Sequence, residues 1–479
     1  MKDRLPKFPG RVKLKPVAGQ TDTYDMTRAD DPDDTGTPFN TRTMLQDSTG
    51  RFLRLPYANP LVDDAFRHMV DRIVPIGTIR TSPAQSLGDA WLPCDGSQVT
   101  FLEYPQLCQL LRGASSTQWA DKQFAVGATV ASNAVRFKGK WYVASFIDDK
   151  LTIYAANTID GDYSVVAENL SGSQYCGARI VCNDSICVIV SAISSELCIG
   201  YTEDGTNWTS YAQTVDLMGK YMPIVDVCAI GDVFLIGFEK RFFRTGTVKV
   251  SGSWKIYYPT PAGDSDSNEY VAGLSSIDGK FVYVRRRRLL RSGERYYRAW
   301  MNVYVSTPAS EEWTETAEYV FDFTPADYSN VVKYNGKYWI LYKYKDIKTT
   351  GYPIREGFLY GDSLTEFAIG ESKEVGGAEP GNDLTLTANE TFMIIRGGNK
   401  LKLSADPLQT ESGIELPEGA TISTVSIDGK VAIATGSGTI YHHDYSTDTR
   451  LLPIISLSDD TTTFIKAKNE LDVFEAGGD

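Results

Sequence analysis

From about residue 123 onward, short apolar runs alternate with turns at a slow, regular beat. The runs are VRFKGKWYVAS, IVCNDSICVIV, VCAIGDVFLIG, SSIDGKFVYV, VKYNGKYWILY, LTANETFMII, VSIDGKVAIAT and IKAKNELDVFEA. Each reads as an apolar strand, a turn with Gly, Asn or Asp, and an aromatic or β-branched strand. The turns fall near 139, 184, 231, 279, 336, 389, 429 and 469, so the gaps are about 45, 47, 48, 57, 53, 40 and 40 residues. Strand hairpins repeating at such a period predict a β-propeller, one blade per repeat. Eight hairpins with seven following strand pairs predict seven or eight blades. With eight, a strand near 123–126 completes the last blade and ties the ends of the ring together. With seven, the last hairpin lies outside the ring.

The first 74 residues carry no such beat. Pro6, Pro9, Pro16, Pro32 and Pro38 forbid long helices and predict an extended arm. Val12, Leu14 and Val17 suit one short strand, and ADDPDDTG reads as a solvated acidic loop without the ligand spacing of an EF-hand. The arm has too few apolar residues to bury a core and is expected to be ordered against partners. At its end, Asn59 suits a helix cap and Pro60 the first helical position, predicting a helix over 60–74. Val62, Phe66, Met69, Val70 and Ile73 share one face. That stripe packs either on its own domain or against another copy in a homo-oligomer such as a trimer.

Between arm and repeats, Asp95-Gly96 is a tight-turn dipeptide, and Thr100 with Glu103 forms a capping box opening a short helix that Gly113 stops. Trp91 and Cys94 are expected in a small core. Pro75-Ile76-Gly77-Thr78-Ile79, then Trp91-Leu92-Pro93-Cys94-Asp95-Gly96, then Glu103-Tyr104-Pro105 with Leu107, Leu110 and Leu111 resemble the phage tail-collar domain. Ala90 stands where that family has Gly, and the usual following F-x-L-P-D-L element is missing. The arm, with PGRV, YDMTRAD and GTPFN, resembles the start of tail proteins of phages and prophages of Gram-positive bacteria. Together the resemblances imply a virion tail protein made in the host cytoplasm: a tail fibre, baseplate or receptor-binding subunit. The expected fold class is mainly β. It comprises an extended N-terminal arm with one helix (1–74), a small α+β tail-collar unit (75–122) and a C-terminal β-propeller (123–479).

Within the repeats, CIGYTEDGTNW resembles the Asp-box of sialidase-like propellers, which joins the third and fourth strands of a blade. The resemblance gives Asp204 and Gly205 the turn and Trp208 a place between blades. Weaker copies are VYVSTPASEEW, ending at Trp313, and IYAANTIDGDY. In the fourth and fifth repeats the links between second and third strands are long and basic. They hold Arg285, Arg286, Arg287, Arg288, Arg291, Arg295, Lys343, Lys345, Lys348 and Arg355, with Tyr296, Tyr297, Tyr342 and Tyr344. Side by side on one face they form the best candidate contact for an anionic glycan, a host protein or a tail neighbour. Equally, their charges blunt exposed strands.

Net charge is -13, which argues against a surface that tracks nucleic acid. No apolar run is long enough to span a bilayer, and MKDRLPKFPG has no apolar core of a secretion signal. The seven cysteines (94, 108, 176, 182, 187, 198 and 228) contain no CxxC pair and read as buried free thiols; with three His they offer no zinc spacing. No cofactor is expected. The favoured reading is a binding protein, docked on the tail through its arm and presenting a propeller to a host surface receptor. The alternative is a glycan-cleaving tail enzyme. A sialidase would need three Arg, a Tyr–Glu pair and an acid/base Asp, yet no F/Y-R-I-P motif stands near the first blade, and Arg136 in AVRFKG lacks that context.

Overall fold

The computed structural model describes residues 5–6, 12–16, 24–28, 32–34, 74–82, 86–112, 117–193, 195–215, 223–239, 241–257, 269–290, 297–321, 326–346, 349, 351, 353–375, 384–408, 410–455 and 462–469. The chain divides into two compact units. One is Met1–Leu92 with Phe464–Asp479; the other is Pro93–Thr463. The unit that holds the repeats therefore begins at Pro93 and takes in most of the stretch expected to form a separate unit over 75–122.

In the first unit, Val12–Pro16 pairs antiparallel with Tyr24–Arg28, placing Leu14 opposite Met26. Leu5–Pro6 pairs with Pro32–Asp34, so part of the acidic stretch read as a loop is a short strand. The helix expected over 60–74 lies, except for Val74, outside the described residues. Ile79–Ser82 and Trp91–Pro93 flank the strand Thr462–Lys466 in a three-stranded sheet. The described part of the last repeat motif thus belongs to this sheet and to no blade, the alternative that goes with seven blades.

The second unit is a β-propeller with seven blades among the described residues. Their innermost strands are Val135–Phe137, Ala178–Cys182, Ile224–Ile230, Glu269–Ile277, Ala326–Tyr328 with Val332–Tyr334, Leu384–Ala388 and Thr424–Asp428. Turn chemistry explains the regular hairpins. Lys138-Gly139, Asp278-Gly279 and Asn335-Gly336 all have positive φ at both positions, the two-residue turn whose twist matches the flanking strands.

Each second strand is covered on both faces, so it reads as an unbroken apolar run: residues 141–146, 187–192 and 281–284 are buried throughout. The core lies in the seams between blades. Phe137, Tyr142, Phe146 and Ile153 of the first blade pack on Ile180 and Ile189 of the second. The closing seam joins Trp141 and Tyr154 of the first blade to Ile433 and Ile440 of the seventh, with Phe124.

Closure uses the chain before the first blade. Ala120–Gln123 pairs antiparallel with Thr439–Asp444 as the outermost strand of the seventh blade, a few residues earlier than expected. Thr117–Gln118 adds a parallel fifth strand to the sixth blade beside Thr410–Glu415. Cysteine behaviour also departs from the expectation. Cys182 and Cys187 face each other across the second blade's first hairpin, with Cα atoms 4.1 Å apart, and are joined as a disulfide. Hairpin register brings them together, which spacing alone did not reveal. Cys94, Cys108, Cys176, Cys198 and Cys228 are buried and take part in no disulfide.

Candidate functional site

From Pro93 onward the motif stretch belongs to the propeller unit. Cys94 is buried, its N–H bonded to the Thr463 carbonyl at 2.7 Å, and burial pushes its thiol pKa up. Asp95 Oδ1 accepts the Ser97 N–H at 2.8 Å, and Gly96 turns with φ +80° beneath Ile454, where a Cβ would strike that side chain. Thr100 Oγ1 accepts the Glu103 N–H at 3.3 Å, the expected half of a capping box, and the helix follows as Pro105–Arg112. Tyr104 and Pro105 are half-buried at its start. Phe101 is fully buried between Phe392 of the sixth blade and Tyr445 after the seventh, with ring centroids 6.0 and 4.9 Å away. Gln109 donates to the Leu403 carbonyl and accepts from the Ala405 N–H, both at 3.1 Å. In the first unit, Pro75 and Gly77 shape a turn: the Pro75 carbonyl accepts the Thr78 N–H, and the Gly77 N–H donates to the Lys466 carbonyl at 2.8 Å. Trp91 in that unit is half-buried.

Asp204 makes a turn, as the sequence implies. Its Oδ1 accepts the N–H groups of Thr206 and Asn207, each at 2.8 Å, which hold its carboxyl well below the usual range. Gly205 has φ +78°, and its carbonyl accepts the Tyr142 hydroxyl at 2.8 Å. Trp208 packs against Tyr142 of the preceding blade. The weaker copies repeat the logic: Trp313 stacks on Phe242, and Tyr163 packs near Phe124. These groups lock neighbouring blades.

The basic hairpins are less free than their sequence suggests. Lys280–Leu290 pairs with Tyr297–Ser306 in the fourth blade. Arg286 is buried and ion-paired with Asp327 of the fifth blade, and its guanidinium lies 5.1 Å from the Tyr270 ring centroid. Arg285 donates to Asn302 Oδ1 and covers the Tyr304 ring. Tyr344 is buried, stacked beside Tyr342, its hydroxyl bonded to the Ser372 hydroxyl at 3.0 Å. Arg355 Nε pairs with Asp346 at 3.0 Å. Arg287 and Lys345 are half-buried. Tyr344 is therefore buried, and Arg355 is tied to Asp346 while still partly exposed, where the sequence expected an open contact. The side chains of Arg288, Arg291, Arg295, Tyr296, Tyr297 and Lys348 lie outside the described residues.

The sequence reading missed the axial channel, a cavity of about 800 Å³ lined by the innermost strands. Arg179, Asp226, Asp278, Arg286, Asp327, Lys333 and Arg396 all reach its wall. Most are engaged across blades. Arg286 holds Asp327, Lys333 Nζ holds Asp278 at 2.9 Å, and Arg396 donates to the carbonyls of Gly398, Ile422 and Ser423. Arg179 and Asp226, on adjacent innermost strands, are half-buried. Burial pushes the Asp226 carboxyl up to about 6, against the opposing pull of Arg179. These positions gave no sequence signal, because single charges on separate repeats converge only when the ring closes.

No family model matches the chain. No curated protein matches it either. Solved β-propellers are similar in fold. YCF48 bound to D1 peptide shares 14% identity over 69% of this chain and 95% of its own, with a TM-score of 0.43. A catalytically inactive virginiamycin B lyase from Staphylococcus aureus with quinupristin shares 12% over 68% and 98%, TM-score 0.44. The propeller domain of the trilobed protease from Pyrococcus furiosus shares 12% over 70% and 98%, TM-score 0.40. The propeller assignment rests on the seven blades themselves.

Proposed function

We propose that the protein is a structural and host-recognition component of a phage tail, with an arm that docks on other tail proteins and a propeller that contacts the host surface. The observation that carries this reading is the way the collar-like stretch enters the propeller. Phe101 fills a seam, Gln109 grips the sixth blade and Ala120–Gln123 closes the seventh. A collar-like stretch built into the propeller in this manner is part of the display head itself, which suits a tail component. The arm supports the docking role. Leu14 and Tyr24 on its hairpin are 55% and 52% exposed, and among the described residues that hairpin is a two-stranded sheet, an element marginal in water without a partner. That partner is a neighbouring tail protein.

Recognition falls to the face bearing the long links of the fourth and fifth blades. Arg285, Arg286, Tyr344 and Arg355 brace that face, and Arg291, Arg295 and Tyr296 supply the contact. Several copies on one tail, whether as a trimer or a larger ring, would turn weak single contacts into firm attachment through effective concentration. The test is competition. Purified full-length protein, added to Gram-positive host cells before phage, should lower the adsorption rate in proportion to its concentration. No competition from either the single or the assembled protein would remove the receptor role. Release of reducing ends from host-envelope polysaccharide would replace this reading with the glycan-cleaving one.

A further inference from the structure

Two charged groups in the axial channel stand apart from the rest. Arg179 and Asp226 come from the adjacent innermost strands Ala178–Cys182 and Ile224–Ile230. Each makes only a local bond: Arg179 Nη1 donates to the Ala178 carbonyl at 2.9 Å, and Asp226 Oδ1 accepts the Val227 N–H at 2.8 Å. Each feels the other's charge, yet among the described residues no hydrogen bond or ion pair joins them. The guanidinium keeps donors to spare and the carboxylate keeps a whole oxygen to spare. Half-buried charges normally find direct partners, because desolvation without compensation is costly. The other charged side chains of the channel have theirs: Arg286 with Asp327, Lys333 with Asp278, Arg396 with three carbonyls, and Glu239 with interactions of its own.

We propose that the channel holds a binding site for a small zwitterion, a free α-amino acid or a chain end of that chemistry, with its carboxylate on Arg179 and its ammonium on Asp226. The charge balance selects this class. One cation and one anion face the same cavity, so a simple anion would leave Asp226 unmatched and repelled. A doubly charged phosphate would be repelled more strongly. A neutral ligand bearing both signs meets both groups, and an Arg fork binds a carboxylate through two parallel N–H bonds. The cavity of about 800 Å³ leaves room for a side chain or a longer tail beyond the two charged ends. Burial lowers the Arg179 pKa and raises that of Asp226, the strain expected of two desolvated groups lacking a direct partner.

This site goes beyond the attachment reading and stands apart from it, since purified protein and small molecules suffice to test it. Full-length protein would be titrated calorimetrically at pH 7.5 with alanine, acetate, ethylamine, glucuronate and inorganic phosphate. Alanine should bind at least tenfold more tightly than acetate or ethylamine. Asp226→Asn should weaken alanine at least tenfold, and so should Arg179→Gln. Should Arg179→Gln fail to fold, the wild-type ligand series and Asp226→Asn decide. The proposal is overturned if alanine shows no saturable heat, if phosphate or glucuronate binds more tightly, or if Asp226→Asn binds alanine like wild type. Failure of cell adsorption with alanine binding intact would sink the attachment reading alone.

Discussion

At the scale of single residues, the chain shows how the same residue type serves different ends. Asp204 is held ionised by two backbone N–H groups, while Asp226 is pushed the other way by burial. The folded carboxyl of Asp226, at about 6, lies above its ordinary 3.8. The folded state therefore binds the proton more tightly than the unfolded one. The contribution of this group is most favourable below about pH 4 and is lost as pH rises through about 6. Asp226→Asn should accordingly raise the melting temperature at pH 8, by about 1–3 kcal/mol of stability, with the gain shrinking to nothing as pH falls towards 4. Paired melts across that range check the sign; a gain that grows on acidification would refute it. Gly205 is a steric case. With φ +78° and the Tyr142 hydroxyl against the place of a Cβ, Gly205→Ala should cost about 1–3 kcal/mol, read by denaturant unfolding. The turn formed by Asp204 and Gly205 was legible in the sequence, because an Asp-Gly turn is local chemistry. The burial of Tyr344 and the pairing of Arg355 were not, since Ser372 and Asp346 are brought to them by sheet pairing.

At the scale of elements, the short helix Pro105–Arg112 and the turn before it work as a wedge rather than as an independent domain. Phe101→Ala should cost about 3–5 kcal/mol, because the ring fills the space between Phe392 and Tyr445. Gln109→Ala strands a buried carbonyl and a buried N–H. Hydrogen exchange at residues 403–405 should speed up measurably, with about 1–3 kcal/mol lost. The capping box and the helix stood in the sequence as local signals. That they plug the last two blades did not, since their partners are about three hundred residues away. On the proposed attachment reading, the contact falls to the basic hairpin of the fourth blade. Exchanging Arg291 and Arg295 for Glu should leave the melting temperature within a degree or two and reduce competition with phage at least tenfold. Unchanged competition would move the contact to another face.

At the scale of the whole molecule, closure is the governing event. The seventh blade has three strands from the C-terminal side and takes its fourth from Ala120–Gln123. A truncated chain covering 93–463 should fold cooperatively, whereas one covering 124–463 should lose its sharp melt, because an open seam exposes Trp141, Ile433 and Ile440. Equal melts for the two would show that the strand is dispensable. Repeat period and turn residues by themselves determined a propeller, since each hairpin is fixed by contacts only a few residues apart. They also named its Asp204 turn and its long basic links. Tertiary structure alone decided that the described residues form seven blades, that the described part of the eighth hairpin motif joins no blade, and that the collar-like stretch from Pro93 onward seals the ring. It alone brought Arg179 and Asp226 to one cavity. The reason is physical: local pattern specifies the strand and its turn, while the ring is set by how many twisted blades bury one another's faces before the first meets the last.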